Sequence, residues 1–171
     1  DQIVQLRRVL EKQSVQASDT DSDIIAAGIK EKTAGIFVLH IRNGMVQGSR
    51  NYFPKVPLDT CVEEVIESFI GHYYSASQNE VPAEIVINCK IPEEQALASL
   101  IGHLRSVKVR LAHKVKTNRA AWLDMANRNL QEMIAAKLAS KNHTQKRMQC
   151  LMDELGLDKL PIRMECFDIS H

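Results

Sequence analysis

The pattern of apolar and polar positions begins with three strand-like segments. β-Branched and apolar residues dominate 24–29, 35–41 and 45–53, and turn residues bound each segment, which is typical of strands. Asn43-Gly44 separates the second segment from the third and indicates a two-residue hairpin turn. We therefore predict an antiparallel meander of three strands.

Apolar residues downstream recur at helical spacing in segments that alternate with short apolar runs. Pro54 and Pro57 end the third strand, and Gly156 and Pro161 end the last helix, because these residues interrupt regular elements. The predicted elements are a helix through 62–70, a strand at Glu84–Cys89, a helix after Pro92, a strand at Val107–Leu111, a helix at Asn118–Ser140, a further helix through Leu155 and a strand at Ile162–Ile169.

The order of the main elements is strand, strand, strand, helix, strand, helix, strand, helix. An antiparallel meander with later parallel additions favours a ribonuclease H-like mixed sheet with flanking helices over a doubly wound sheet. The predicted fold class is therefore α/β. We assign residues 24–140 to this domain and residues 141–161 to a connecting helix.

The first residues form a separate part of the pattern. Residues 1–13 place Ile3, Leu6 and Leu10 at helical spacing, which predicts an amphipathic helix whose apolar face needs a partner. Residues 14–23 are rich in Ser, Thr and Asp and are predicted to form a linker.

The formal net charge of +1 conceals a strong asymmetry. Residues 1–94 carry 9 Lys and Arg against 14 Asp and Glu, whereas residues 95–152 carry 11 against 2. Residues 153–171 return to 2 against 5, so the basic block has definite ends. Nucleic acid is the obvious acidic partner, and neither a membrane nor a small-molecule substrate is expected.

Cysteine usage and hydropathy indicate the compartment. Cys61, Cys89, Cys150 and Cys166 lack metal-ligand spacing, and each is predicted to pack as a small buried hydrophobe in a reducing compartment. No apolar run approaches the roughly 18 residues of a membrane span, and residues 1–8 lack the apolar region of a signal peptide. We therefore expect a cytoplasmic protein.

Four strings of residues carry a family resemblance. The most specific is Arg163–His171, which reads RMECFDISH. The others are Ser49–Lys55 (SRNYFPK), Leu123–Asn129 (LDMANRN) and the leading helix through Gln13. Together they resemble the UvrC family, the endonuclease subunits of bacterial UvrABC nucleotide excision repair. The strings follow the family's order along the whole chain, so we expect an internal piece of a longer protein.

The resemblance implies a role for each end of the chain. The leading helix, with Ile3, Leu6 and Leu10, is similar to the second half of the UVR motif through which the family contacts the helicase UvrB. Residues 162–171 would open the nuclease domain, where Asp168 matches a carboxylate that holds Mg²⁺ or Mn²⁺ for phosphodiester hydrolysis. Further ligands would come from later parts of the family's sequence, so we expect this chain alone to hold no metal and to be inactive.

The basic block is the candidate DNA-binding surface. No acidic residue lies between Glu94 and Asp124, whereas ordinary surfaces mix both signs. Phosphate contacts from Lys and Arg suit a repair protein that binds DNA without reading its sequence. A solvated face and a face that docks within the same protein are the alternatives. The candidate residues are Arg105, Lys108, Arg110, Lys114, Lys116 and Arg119.

Ribonuclease H-like nucleases place a metal-binding carboxylate inside the first strand and another near the end of the fourth. Here those places read Ile24–Ala27 and Asn88-Cys89, so the central domain is predicted to be an inactive linking scaffold. Asp23 precedes the predicted strand and is interpreted as a loop cap. The competing hypothesis is a self-contained nuclease that uses Asp23 and Asp168.

Two positions at the long helix depart from the family pattern. The basic turn before this helix usually has a Gly after Arg in the family, whereas this chain reads KVKTNR at Lys114–Arg119, and the family's Asn-Ala pair is Asn129-Leu130 here. The geometry of the turn therefore does not follow from the resemblance. Trp122 and Tyr52 lie in apolar patterns and are predicted to be core residues, not base-stacking ones.

Overall fold

The computed structural model describes residues 21–76, 79–161, 163 and 165. The strands and helices of these ranges follow the predicted order. They are β1 (Ser22–Lys30), β2 (Thr33–Arg42), β3 (Met45–Tyr52), α1 (Val62–Ser75), β4 (Glu84–Ile87), α2 (Glu94–Arg105), β5 (Arg110–Ala112) and α3 (Asn118–Leu155). The helix predicted for residues 1–13 and the strand predicted for 162–169 lie outside the described residues.

The five strands form one mixed sheet in the order β3-β2-β1-β4-β5. β1 pairs antiparallel with β2, and β2 pairs antiparallel with β3. β4 pairs parallel with β1, and β5 pairs parallel with β4. An antiparallel meander with parallel additions at one side is the predicted ribonuclease H-like arrangement, and the predicted α/β class is confirmed.

Both faces of the central strands are covered, which explains their almost continuous burial. On one face, Ile25 and Val38 join a core with Ile66 and Ile70 of α1 and with Ile101 of α2. The side chains of these residues are fully buried or nearly so.

On the opposite face, α3 packs against the sheet at glycines. A Cβ atom at Gly35 would lie 2.7 Å from Ile134 Cγ1, and one at Gly28 would lie 3.3 Å from Leu130 Cδ2. The strand can lie this close to the helix because Gly35 carries no side chain. Trp122, near the start of α3, is 8% exposed, and Tyr52 is half-buried against Phe69 and Tyr73, so both predicted core assignments are confirmed.

Two tight turns build the meander. Asn43 and Gly44 have φ angles of 51° and 71°, so the predicted hairpin turn is confirmed. Glu31 and Lys32 have φ angles of 48° and 61° between β1 and β2. Neither residue favours the left-handed region, and for this reason the sequence pattern did not identify that turn.

Two predicted boundaries are wrong. β1 begins at Ser22, so Ser22 and Asp23 belong to the sheet and not to the predicted linker. α3 runs without interruption from Asn118 to Leu155, so there is no separate connecting helix after Ser140. The polar stretch after Ser140 suggested a break, but it contains neither Gly nor Pro.

The chain divides into two compact units, one ending at Ile134 and the other beginning at Ala135. In the second unit, residues 139–147 are all exposed.

Cys61 and Cys150 are exposed, so the prediction that every cysteine is buried is wrong for these two. Within the described ranges, no helix is long and apolar enough to cross a membrane.

Candidate DNA-binding surface and the buried carboxylate of the first strand

Asp23 lies inside β1, opposite His40 of β2, and its side chain is fully buried. Its Oδ1 atom lies 3.0 Å from His40 Nδ1 and accepts a hydrogen bond of 2.8 Å from Arg42 Nη1. Its Oδ2 atom accepts a 2.5 Å hydrogen bond from the Tyr74 hydroxyl of α1. The interpretation of Asp23 as a loop cap is therefore wrong, because the carboxylate is part of the core.

The partners of Asp23 determine its ionisation. Burial alone would raise the pKa of Asp23, but the hydrogen bonds from His40, Tyr74 and Arg42, together with the charge of His40, lower that pKa below its ordinary value. Burial and the adjacent carboxylate raise the pKa of Tyr74 well above its ordinary value. Asp23 is thus an ionised carboxylate whose two oxygens already accept hydrogen bonds, and this arrangement does not fit a metal ligand.

Asn88 directly follows β4, where ribonuclease H-like nucleases would have their second metal-binding carboxylate. Its Oδ1 atom accepts a 3.0 Å hydrogen bond from the Ala27 amide, and its Nδ2 atom donates to the Ala27 carbonyl at 2.9 Å. Nδ2 also donates to Asn127 Oδ1 of α3 at 2.9 Å. The side-chain amide extends the β1–β4 pairing and fastens it to α3, and it offers no carboxylate. No group of three His, Cys, Asp or Glu side chains that could hold a metal ion occurs among the described residues.

The arginines of the basic block make contacts within the domain. Arg119 Nη1 in the first turn of α3 donates to both carboxylate oxygens of Glu84, at 2.8 and 2.6 Å. Glu84 begins β4 and is 5% exposed, and Arg110 Nε of β5 lies 3.6 Å from its Oε1 atom. Arg119 therefore joins the start of α3 to the start of β4.

Arg105 performs a similar task at the end of α2. Its guanidinium donates to the carbonyl of Ala76 at 3.3 Å and to that of Asn79 at 2.9 Å. Both carbonyls follow the C-terminus of α1, where backbone acceptors lack helical partners. Arg105 thus ties the end of α2 to the segment after α1.

The lysines of the block are differently placed. Lys108, Lys114 and Lys116 are exposed, and no carboxylate among the described residues lies within ion-pair distance of them. Lys116 precedes Thr117, which adopts a left-handed backbone with a φ of 57°. The turn before α3 therefore holds a β-branched residue in the left-handed region, which glycine adopts more readily.

Sequence reasoning missed Asp23, His40, Arg42 and Glu84 as polar side chains held by hydrogen bonds within the domain. The available signal was that His40 and Arg42 continue the alternation of β2 and place polar groups on its buried face. Asp168, Ile3, Leu6 and Leu10, which the resemblance singled out, lie outside the described residues.

The sheet order, the covered faces and the position of Asp23 within β1 define a ribonuclease H-like domain. A comparison with known protein families agrees with this fold assignment, because the family model described as UvrC Ribonuclease H-like domain matches residues 21–137. The chain belongs to this family.

Relatives align along the whole chain. UvrABC system protein C of Pseudomonas protegens is 36% identical over 172 residues, which cover all of this chain and 28% of the relative. The protein of the same name from Chromohalobacter salexigens is 36% identical over 171 residues, with the same coverage. The chain thus spans 28% of the length of these relatives. A solved Bacteroides thetaiotaomicron structure, with an actin-like ATPase fold and unknown function, matches 64% of this chain and 37% of its own at 7% identity and a TM-score of 0.33.

Proposed function

We propose that this chain is the central DNA-binding and linking part of a UvrC subunit, which acts in UvrABC nucleotide excision repair to incise damaged DNA on both sides of a lesion. The observation that carries the proposal is the alignment of the whole chain with UvrABC system protein C. The exposed lysines of the acid-free stretch support a DNA-binding role for this part.

We define Lys108, Lys114 and Lys116 as the lysine surface. In this proposal, the lysine surface contacts DNA. These exposed ammonium groups are suited to phosphates, which a repair protein contacts without reading base sequence. A cavity of about 450 Å³ between α2 and residues 106–109 adjoins this surface and is lined by Lys108 and His103. Arg105, Arg110 and Arg119 contribute positive potential, but Arg105 and Arg119 also make hydrogen bonds that hold the domain together.

Incision belongs to other parts of the longer protein. Asp23 is buried and hydrogen-bonded, and Asn88 carries an amide. Neither residue therefore supplies a carboxylate that could hold Mg²⁺ or Mn²⁺ in a two-metal site. In the whole subunit, Asp168 would be one ligand of such a metal, which would activate water and neutralise charge on the scissile phosphate. The leading helix, with Ile3, Leu6 and Leu10, would bind UvrB.

A nicking assay tests the division of labour. The purified chain should leave supercoiled plasmid intact in the presence of Mg²⁺ or Mn²⁺. Metal-dependent nicking that Asp23→Asn or Asp168→Asn abolishes would establish the competing function of a self-contained nuclease. Asp23→Asn is interpreted only if its circular dichroism spectrum shows a folded protein.

A binding assay tests the lysine surface. Duplexes of unrelated sequence should bind with similar Kd values of about 10⁻⁴ to 10⁻⁶ M, because phosphate contacts carry no base information. Changing Lys108, Lys114 and Lys116 together to Gln should weaken every duplex similarly. The matched control changes Lys30, Lys32 and Lys90, which are also exposed, and should leave Kd nearly unchanged. Equal effects of the two triple variants would favour a structural interdomain module.

A further inference from the structure

A second concave surface lies at the β2–β3 side of the sheet, beside the buried Asp23. It has a volume of about 440 Å³, within the range of small-ligand sites. β2 and β3 form its floor, and Tyr73 of α1 and the segment after α1 form its walls. The lining residues are His40, Arg42, Gln47, Gly48, Ser49, Arg50, Tyr73, Asn79 and Glu80.

The backbone of β3 opens this pocket. The pairing of β2 with β3 shifts between His40 and Ile41, so Gln47 is the extra residue of a β-bulge. Gly48 pairs with His40, and a Cβ atom at Gly48 would meet no atom within 4 Å. The space above Gly48, next to His40, is therefore open and forms part of the pocket.

The charges of the pocket are unevenly matched. Arg42 is held by Asp23 at 2.8 Å and lies 3.5 Å from Glu80, whose side chain is 76% exposed at the rim. Arg50 interacts with the phenol groups of Tyr52 and Tyr73, and no carboxylate among the described residues forms an ion pair with it. One guanidinium charge is therefore available to an anion, next to aromatic side chains.

The lining of the pocket suits an anion such as phosphate. A guanidinium presents several N–H groups in a planar fork, which suits phosphate oxygens. Arg42 and Arg50 both line the pocket, and Tyr73 of α1 lies beside them. Ser49 and Arg50 belong to the SRNYFPK string, one of the four that carry the family resemblance and one for which the lysine surface gives no role.

We propose that this pocket binds a phosphate group of a nucleotide, with Arg50 as its principal ligand, and thereby gives the domain a second contact to a nucleic acid strand. The site does not depend on the lysine surface. A mononucleotide is small enough to report on the pocket alone, so failure of one proposal is separable from failure of the other.

The test is an NMR titration of the folded chain with inorganic phosphate, with dTMP and with the tetranucleotide of thymidine. All three should shift the amide signals of His40, Gly48 and Arg50, and the tetranucleotide should bind most tightly if the source is a strand. Tightest binding of dTMP would assign the pocket to a free nucleotide and overturn the strand contact. Pocket signals that none of the three ligands shifts, or that a short glutamate peptide shifts equally, would overturn the proposal.

Four variants sharpen the result. Arg50→Gln should weaken dTMP binding about tenfold or more, because a charge-assisted hydrogen bond is lost. Glu80→Gln should strengthen it about two- to fivefold, since a repelling charge leaves the rim. Lys55→Gln removes a nearby exposed charge outside the pocket and should have no effect. A Cβ atom at Gly48 meets no atom within 4 Å, so Gly48→Val should narrow the pocket and weaken dTMP binding while the thermal unfolding midpoint stays near that of the parent chain. Unaltered dTMP affinity in both Arg50→Gln and Gly48→Val would contradict the assignment.

Discussion

Arg119 donates two hydrogen bonds to the buried Glu84, whereas Lys114 and Lys116, a few residues earlier, are exposed and have no carboxylate of the described residues within ion-pair distance. The same division holds for the neighbouring positions, because Arg105 and Arg110 contact carbonyl or carboxylate groups, whereas Lys108 has no carboxylate of the described residues within ion-pair distance. One acid-free stretch of sequence therefore contains two kinds of cation.

The difference follows from the chemistry of the two side chains. The planar guanidinium can satisfy two acceptors at once and is weakly hydrated, so it suits a partly buried ion pair. The ammonium group of lysine is strongly hydrated and stays in water, where it can meet a phosphate. The basic block thus divides into arginines that hold the domain and lysines that remain available to a partner.

The Asp23 cluster shows the same use of arginine deeper in the fold. Arg42, His40 and Tyr74 surround one carboxylate that has no contact with water. A first-strand carboxylate can therefore serve packing and not metal binding. Variants of these fixed charges and of the exposed lysines test the distinction directly.

The largest effect is expected at Asp23. Asp23→Asn should lower the free energy of unfolding by about 3 to 5 kcal/mol, because the largely buried Arg42 would keep only the exposed Glu80, 3.5 Å away, as a charged partner. The pKa of Asp23 is depressed in the folded protein, so its stabilisation is present above the ordinary aspartate pKa and is lost as the pH falls through the folded pKa. Urea unfolding as a function of pH should show this loss below about pH 4 in the parent chain and not in the variant. A stability change under 1 kcal/mol would contradict the cluster's role.

A smaller loss is expected at Arg119. Arg119→Ala should reduce the free energy of unfolding by about 2 to 3 kcal/mol, less than for a fully buried pair because the Arg119 side chain is 34% exposed. The matched control, Lys116→Ala, should stay within about 0.5 kcal/mol of the parent. Equal losses at the two positions would remove the distinction between holding and available cations.

Thr117 should show the smallest effect, of opposite sign. Thr117→Gly should raise the free energy of unfolding by about 0.5 to 1 kcal/mol, because relief of the left-handed strain exceeds the added freedom of the unfolded chain. Thermal unfolding measures this gain. Duplex affinity should be unchanged, since the exposed charge of Lys116 is retained. A destabilised variant would show that the Thr117 hydroxyl, which donates to the Lys116 carbonyl at 2.7 Å, is worth more than the strain.

The order of the elements could be predicted from the sequence because its signals are local. The β-branched runs and Asn43-Gly44 specify the meander within a few residues of each position. The start of β1 could not be placed, since Ser22 and Asp23 continue a polar stretch. The side chains that stabilise the buried Asp23 carboxylate are His40, Arg42 and Tyr74, which lie 17, 19 and 51 residues away in the sequence.

The candidate site was predictable in composition but not in detail. The six cations and the absence of acids among them are plain in the sequence. The division between arginine and lysine depends on Glu84, which lies 35 residues before Arg119 and enters the site through the parallel pairing of β4. The pocket beside Asp23 likewise depends on a register shift between β2 and β3.

The salt dependence of duplex binding shows whether Lys108, Lys114 and Lys116 contact phosphate. Each phosphate contact contributes about 0.9 to the slope of log Kd against log salt concentration, so changing Lys108, Lys114 and Lys116 to Gln should lower that slope by about two to three units. The unfolding midpoint should be unchanged. The Lys30, Lys32 and Lys90 control should keep the parent's slope. A folded lysine-surface variant with an unaltered slope would show that these lysines do not contact phosphate and would assign them to contacts within the proposed UvrC subunit.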